Sequence, residues 1–173
     1  MSLDLSKAFD RIEFVPLFQS LREQGVGGEY LSVLIAIYTQ QSGRVRGSRC
    51  FDIQRGVKQG DILSPLLFNS GLEAALRRWK SKIAGSGVPI DSGDKLTNTR
   101  YADDLMLFAR SCEELTNMAE HLREELARVG LQLNAAKTKI LTTESDNSQL
   151  LIEVAGDVVE VVGTGAHTNT SEN

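Results

Sequence analysis

The segment Thr99-Arg100-Tyr101-Ala102-Asp103-Asp104-Leu105-Met106-Leu107-Phe108 constrains this chain more than any other. Apolar residues flank two adjacent carboxylates, which predicts a β-hairpin whose tight turn exposes both aspartates. Two like charges at one turn repel, so a compensating cation is expected. Hard carboxylate oxygens select Mg²⁺, with Mn²⁺ as a substitute. The bland alternative is a solvated Asp-Asp turn, because aspartate favours turns. Two features weigh against it. The run Leu105-Met106-Leu107-Phe108 is continuously apolar and predicts a strand buried on both faces. A third aspartate, Asp4, also lies in a matching context early in the sequence.

Asp4 alternates with Leu3 and Leu5. In a strand with both leucines on the core side, period two puts Asp4 on the opposite face. An aspartate from that strand and a pair from a neighbouring hairpin would clamp two divalent ions about 3.5–4 Å apart. That is the geometry of metal-assisted phosphoryl transfer.

The intervening sequence predicts how these pieces are held. Phe14, Leu17, Phe18 and Leu21 fall at i, i+3, i+4 and i+7, giving a helix over 13–24 that ends at Gly25, Gly27 and Gly28. Residues 29–40 predict a second, more buried helix, and 42–53 a hairpin turning at Gly47-Ser48. A long helix is predicted over 62–82, with Asp61 as its N-cap and Pro65 in its first turn. Residues 84–97 read as a loop. Ser111 and Glu114 form a capping box at the start of a helix over 111–129, with Gly130 as the C′ residue. Residues 131–133 and 138–143 read as strand pieces, and 150–162 as a last hairpin turning at Gly156-Asp157. This order fits an α+β layer, an antiparallel sheet with helices packed on one face. Residues 163–173 are small and polar and are expected to be a disordered tail.

Four blocks of this sequence, in order, resemble the palm of a reverse transcriptase, most similar to those of non-LTR (LINE-type) retrotransposons. Leu3-Asp4-Leu5-Ser6-Lys7-Ala8-Phe9-Asp10 resembles the first palm motif, and Gly56 to Asn69, with Gln59-Gly60 and Ser64-Pro65, the second. Tyr101-Ala102-Asp103-Asp104 is the third, and Gly130 to Thr138 resembles the fourth. The resemblance implies a polymerase palm over 1–162 that transfers dNTPs to a primer 3′-hydroxyl on an RNA template. It makes Asp4 and Asp103 the principal metal ligands, completed by Asp104 and approached by the Leu5 carbonyl. Phe9 matches the aromatic gate under the sugar, whose flat ring would clash with a 2′-hydroxyl. Gln59 and Gly60 would contact the incoming nucleotide and the template. Lys137 falls where the family has a lysine near the leaving pyrophosphate, able to neutralise charge or donate a proton. Each role has a structural rival: Phe9 as a core ring, Gly56 and Gly60 as turn residues, Lys137 as a solvated lysine beside Lys139, Asp10 as a local cap.

The family's fingers, upstream of the first motif, and its thumb, downstream of the fourth, have no counterpart in this stretch. Those regions of a longer polyprotein would bring the basic surface that a net charge of -4 does not. Arg44, Arg46, Arg49, Arg55 and Lys58 form a local basic strip leading into the second motif. Arg77, Arg78, Lys80 and Lys82 are expected to line one helix end, where cations are favourable. No apolar run is long enough to span a membrane, and no signal-peptide pattern opens the sequence, so an intracellular protein is expected. Cys50 and Cys112 are expected as reduced thiols. Two other functions fit the motifs less fully: an inactive retroelement fragment, and a palm scaffold that binds RNA or a partner without catalysis.

Overall fold

The computed structural model describes residues 1–47, 49–91, 93–101, 104–142, 152–154, 157–159 and 161–163. In chain order these form β1 (Ser2–Leu3), α1 (Ala8–Arg11), α2 (Phe14–Glu23), α3 (Gly28–Thr39), β2 (Ser42–Gly43) and β3 (Phe51–Asp52). Next come α4 (Ser64–Lys82), β4 (Val88–Pro89), β5 (Lys95–Leu96), β6 (Asn98–Tyr101), β7 (Asp104–Leu107) and α5 (Cys112–Ala127). A 3₁₀ turn (Ala135–Lys137), β8 (Ile140–Thr142), β9 (Ile152–Val154), β10 (Asp157–Val159) and β11 (Val161–Gly163) complete them. The α+β class is borne out. The chain divides into two compact units: a helical one of Leu5–Ala84 with His121–Gln132, and a sheet unit of Met1–Asp4, Gly85–Glu120 and the described residues from Leu133 on.

In the helical unit, α2 buries Phe14, Leu17, Phe18 and Leu21, the stripe its spacing predicts. It ends in a Schellman motif: Val26 N–H donates to the Leu21 carbonyl and Gly25 N–H to that of Arg22, with Gly25 at φ 89°. α2 meets α4 through small residues. Ser20 Oγ donates to the Ser70 carbonyl at 2.7 Å, and the Gln24 amide donates to Ser20 Oγ and Ser70 Oγ at 2.8 Å. A Cβ on Gly71 would lie 2.6 Å from Ile12 Cδ1, so a larger residue there would have to displace the end of the Ile12 side chain. α4 buries Leu67, Phe68, Leu72, Leu76 and Trp79 along one face, each contributing about 1.5–3 kcal/mol of transfer free energy.

Three expectations for this unit are corrected. α3 is not the more buried helix: Leu31 and Tyr38 are buried, whereas Tyr30, Val33 and Ile37 are exposed. It is apolar on several faces, and the face that meets α2 does so through Tyr38, set edge-on to Phe14 at 5.9 Å. Asp61 does not cap α4. Its carboxylate accepts the Leu63 N–H at 2.9 Å, an Asx turn one step ahead of the helix, which begins at Ser64. Arg78 and Lys82 do more than complement a helix dipole. Glu125, with 1% of its side chain exposed, receives Arg78 Nε at 2.7 Å and lies 3.0 Å from Lys82 Nζ. Lys82 also reaches Glu124 at 2.8 Å, and Arg77 pairs with Glu73.

The helical unit also holds the end of α5. Gly130, at φ 81°, donates to the Ala127 carbonyl, and Leu131 donates to that of Leu126. This is the predicted C′ role. The 42–53 hairpin forms as β2 paired with β3, with Gly47 in its turn; Ser48 lies outside the described residues.

In the sheet unit, β1, β7 and β6 form a three-stranded antiparallel sheet with β7 at its centre. β7 is not buried on both faces as its composition predicts. Leu105 and Leu107 are buried and Met106 is exposed, the period-two alternation of a sheet packed on one side. Residues 84–97 are not wholly loop, because β4 pairs with β5 there. The capping box is half formed. Ser111 Oγ accepts the Glu114 N–H, but the Glu114 carboxylate accepts from the Arg110 and Gly87 N–H groups rather than reaching back to Ser111. Residues 131–133 form no strand, only single backbone contacts. The last hairpin is present as β9 paired with β10; Asp157 belongs to β10, and its turn at 155–156 lies outside the described residues. β11 pairs with β8 in parallel, a departure from the all-antiparallel expectation. Gly163 pairs opposite Thr142; residues 164–173 lie outside the described residues. Cys50 and Cys112 are free thiols, as expected.

Candidate active site

β1 and β7 pair with Ser2 opposite Met106 and Leu3 opposite Leu105. The same antiparallel register, carried one residue further, sets Asp4 opposite Asp104. Leu3, Leu5, Leu105 and Leu107 are buried, so alternation turns Asp4 and Asp104 to the face shared with Ser2 and Met106. The first and third motifs are therefore neighbours, as the sequence implies. Tyr101 pairs with Asp104 on the other side of β7. Asp103 lies outside the described residues. Among those that are described, no group of three or more His, Cys, Asp or Glu side chains comes together. Asp4 and Asp104 nonetheless supply the hard oxygen donors that suit a divalent ion.

Asp4 is tied to the fourth motif, 130 residues away in sequence. Its carbonyl accepts the Asn134 N–H at 2.8 Å, and its Oδ2 accepts Asn134 Nδ2–H at 3.0 Å. Lys137 Nζ stands 3.5 Å from the same oxygen. Lys137 is thus not a lysine facing water alone, although 67% of its side chain is exposed. Asp4 keeps 28% of its side chain exposed. Asp104 is exposed.

The remaining sequence-predicted residues, Leu5, Phe9, Gln59 and Gly60, belong to the helical unit. Lys7 enters α1 in the left-handed region at φ 47°, a cost accepted at a tight entry. Asp10 sits inside the single turn of α1 rather than ahead of it. Phe9 stacks on buried Phe68 with ring centroids 4.8 Å apart and planes 17° apart. Phe9 itself is half-buried, with one side fixed by packing and part of its surface open. The second motif is bonded to this segment: Val57 N–H donates to the Phe9 carbonyl at 2.7 Å and Gly56 N–H to that of Ile12 at 2.8 Å. Gly56 adopts φ 90°, and a Cβ there would lie 2.9 Å from the Asp10 carbonyl oxygen. Its role is close backbone approach as well as a turn. Gln59 and Gly60 follow in an exposed turn, Gly60 at φ 86°. Arg44, Arg46, Arg49, Arg55 and Lys58 are all exposed.

Two contacts at these positions have no counterpart in the sequence reading. Asn134 lies within the fourth motif and Phe68 within the second. The sequence signal for Asn134 is its position as a polar residue between Leu133 and Ala135-Ala136; for Phe68 there is only helical spacing.

Residues 1–163 match the family described as reverse transcriptase (RNA-dependent DNA polymerase), and the chain belongs to that family. The chain is 38% identical over 141 residues to the Pol polyprotein of the type-2 retrotransposable element R2DM of Drosophila melanogaster, covering 79% of this chain and 13% of that protein. It is 30% identical over 161 residues to the Pol polyprotein of the type-1 retrotransposable element R2 of Nasonia vitripennis, covering 88% of this chain and 15% of that protein. A retrotransposable element SLACS 132 kDa protein of Trypanosoma brucei gambiense is 31% identical over 119 residues, covering 65% of this chain and 9% of its own length. The non-LTR resemblance of the motifs is borne out. The chain spans 13% and 15% of the length of the first two relatives. Reverse transcriptases use divalent metal ions, nucleic-acid templates and primers, and nucleotide substrates. No helix among the described residues is long and apolar enough to cross a membrane.

Proposed function

We propose that residues 1–162 are the palm of an RNA-directed DNA polymerase, joining dNTPs to a primer 3′-hydroxyl on an RNA template. The observation that supports this reading is the β1–β7 register, Ser2 against Met106 and Leu3 against Leu105, one residue short of Asp4 and Asp104. Asp4, Asp103 and Asp104 would hold two Mg²⁺ ions, which when bound supply charge neutralisation at the attacking and leaving oxygens. The residues of the chain do the positioning. The Leu5 carbonyl would add a neutral oxygen donor beside Asp4. Phe9, backed by Phe68, would meet the sugar and reject a 2′-hydroxyl by contact. Gln59 and Gly60 would seat the nucleotide and template next to the exposed basic strip, whose cations suit a phosphate backbone. Lys137 would offset the charge of the departing pyrophosphate or give it a proton.

The test is Mn²⁺ binding by the full chain in the presence of a dNTP, with Asp103→Asn alongside. Binding that weakens tenfold or more in the variant supports the reading. Weak binding that the substitution leaves alone would make this an inactive fragment or a non-catalytic scaffold.

A further inference from the structure

We propose that Asn134 is a positioning residue for Asp4, holding one carboxylate oxygen so that the ligand geometry exists before any cation arrives. The proposal rests on the reading of Asp4 as a metal ligand.

The first observation is where the Asn134 side chain goes. Asn134 occupies the N-cap position of the 3₁₀ turn Ala135–Lys137, where an asparagine ordinarily bonds the N–H groups of its own turn. Its side chain makes no such cap. It is spent on Asp4 Oδ2, 3.0 Å away and 130 residues distant in sequence. The second observation is that its backbone is fixed from both sides. The Asn134 N–H bonds the Asp4 carbonyl, while the Asn134 carbonyl accepts from Lys137 N–H, Thr138 N–H and Thr138 Oγ1, the last at 2.9 Å with Thr138 buried. The carboxamide is therefore delivered to Asp4 from a rigid support.

The chemistry separates the two partners of Oδ2. An amide orients a carboxylate without cancelling its charge, so it can stay in place when a cation binds to the carboxylate. The Lys137 ammonium, on a flexible and exposed stem at 3.5 Å, competes for the same charge and would be the group displaced. Hydrogen bonds that orient a ligating side chain are typically worth 10–100-fold in metal affinity.

The experiment is an Mn²⁺ titration of the full chain by electron paramagnetic resonance, without nucleotide, beside Asn134→Ala, Asn134→Leu and Lys137→Gln. Asn134→Leu keeps the shape of the side chain and removes the donor. Both Asn134 variants are expected to bind Mn²⁺ roughly tenfold more weakly or worse, whereas Lys137→Gln binds it as tightly or more tightly. In the unsubstituted chain, the Asn134 side-chain amide resonance is expected to shift as Mg²⁺ is added, with the midpoint of Mg²⁺ binding. Unchanged affinity in both Asn134 variants, or an amide resonance indifferent to Mg²⁺, overturns the proposal. Equal weakening by Lys137→Gln would make loop integrity the cause and overturn it too. The resonance decides the matter if a variant does not fold. A parent chain that binds no Mn²⁺ overturns the metal reading together with this one; a parent that binds it while the Asn134 variants bind equally overturns only the role of Asn134.

Discussion

Glu125 in the helical unit and Asp4 in the sheet unit both sit beside a lysine, and their surroundings are opposite in kind. Glu125 is closed off, with 1% of its side chain exposed and Arg78, Lys82 and Arg128 around it. Asp4 is partly open, held by one neutral amide and one loosely placed ammonium, and its strand neighbour Asp104 is exposed. A carboxylate that only supports a fold gains from having its charge compensated by the cations around it. A carboxylate meant for a cation must be oriented while its charge is left incompletely balanced. The two sites show that difference within one chain.

The sharpest way to test the contrast is to delete each charge and read stability. Glu125→Ala leaves Arg78 and Lys82 without their shared partner and is expected to cost about 3 kcal/mol, the low end for a broken buried pair because both cations can reach water. Asp4→Asn is expected to cost under about 1 kcal/mol, since an amide can still accept from Asn134. Chemical denaturation of the two variants checks both values. Equal losses would mean that Asp4 is as structural as Glu125.

Acid probes the same difference. Burial alone would raise the Glu125 carboxyl, but the Arg78 and Lys82 bonds outweigh it and hold it below the ordinary value of 4.5. At Glu114 too, burial is outweighed by the N–H groups of Arg110 and Gly87. A lowered folded pKa gives stability that is present above the unfolded value and is lost as pH falls through the folded one. Melting temperature is therefore expected to be steady above about pH 5 and to fall below about pH 4.5. Glu125→Gln should flatten the acid limb.

Phe9 asks whether the helical unit also carries an open functional group. Phe9→Val in any active form is expected to relax discrimination against ribonucleotides. The stack on Phe68 should add only about 0.5–1.5 kcal/mol of stability beyond area. Unchanged sugar selectivity would leave Phe9 a packing residue. Glu114→Gln is expected to cost about 1 kcal/mol, because Glu114 steadies a helix start rather than a buried charge.

Much of this was legible where the signal is local. The α2 stripe, the Gly130 helix end and the Asp104 hairpin follow from spacing and turn chemistry within a few residues. That β1 lies beside β7 was legible because Leu3-Asp4-Leu5 alternates and the order of elements fits one antiparallel layer. What escaped depends on partners far away in sequence. Continuous hydrophobicity in β7 could not show that Met106 would face outward, because a run of apolar residues carries no phase. α3 looked buried for the same reason, with Tyr30, Val33 and Ile37 as apolar as Leu31. The ion cluster at Glu125 joins α4 and α5, and the amide on Asp4 joins the first and fourth motifs. Neither contact leaves a periodicity to read.

Gly56 carries one more consequence. Its missing side chain lets two backbones touch, the second motif against the segment bearing Phe9, with nothing adjustable between them. Side chains can change rotamer to absorb a small error, but bare main chains cannot. The spacing between the ring of Phe9 and the turn at Gln59 is thus set like a fixed gauge, and drift elsewhere in the sequence can change what this gauge measures only by first breaking it.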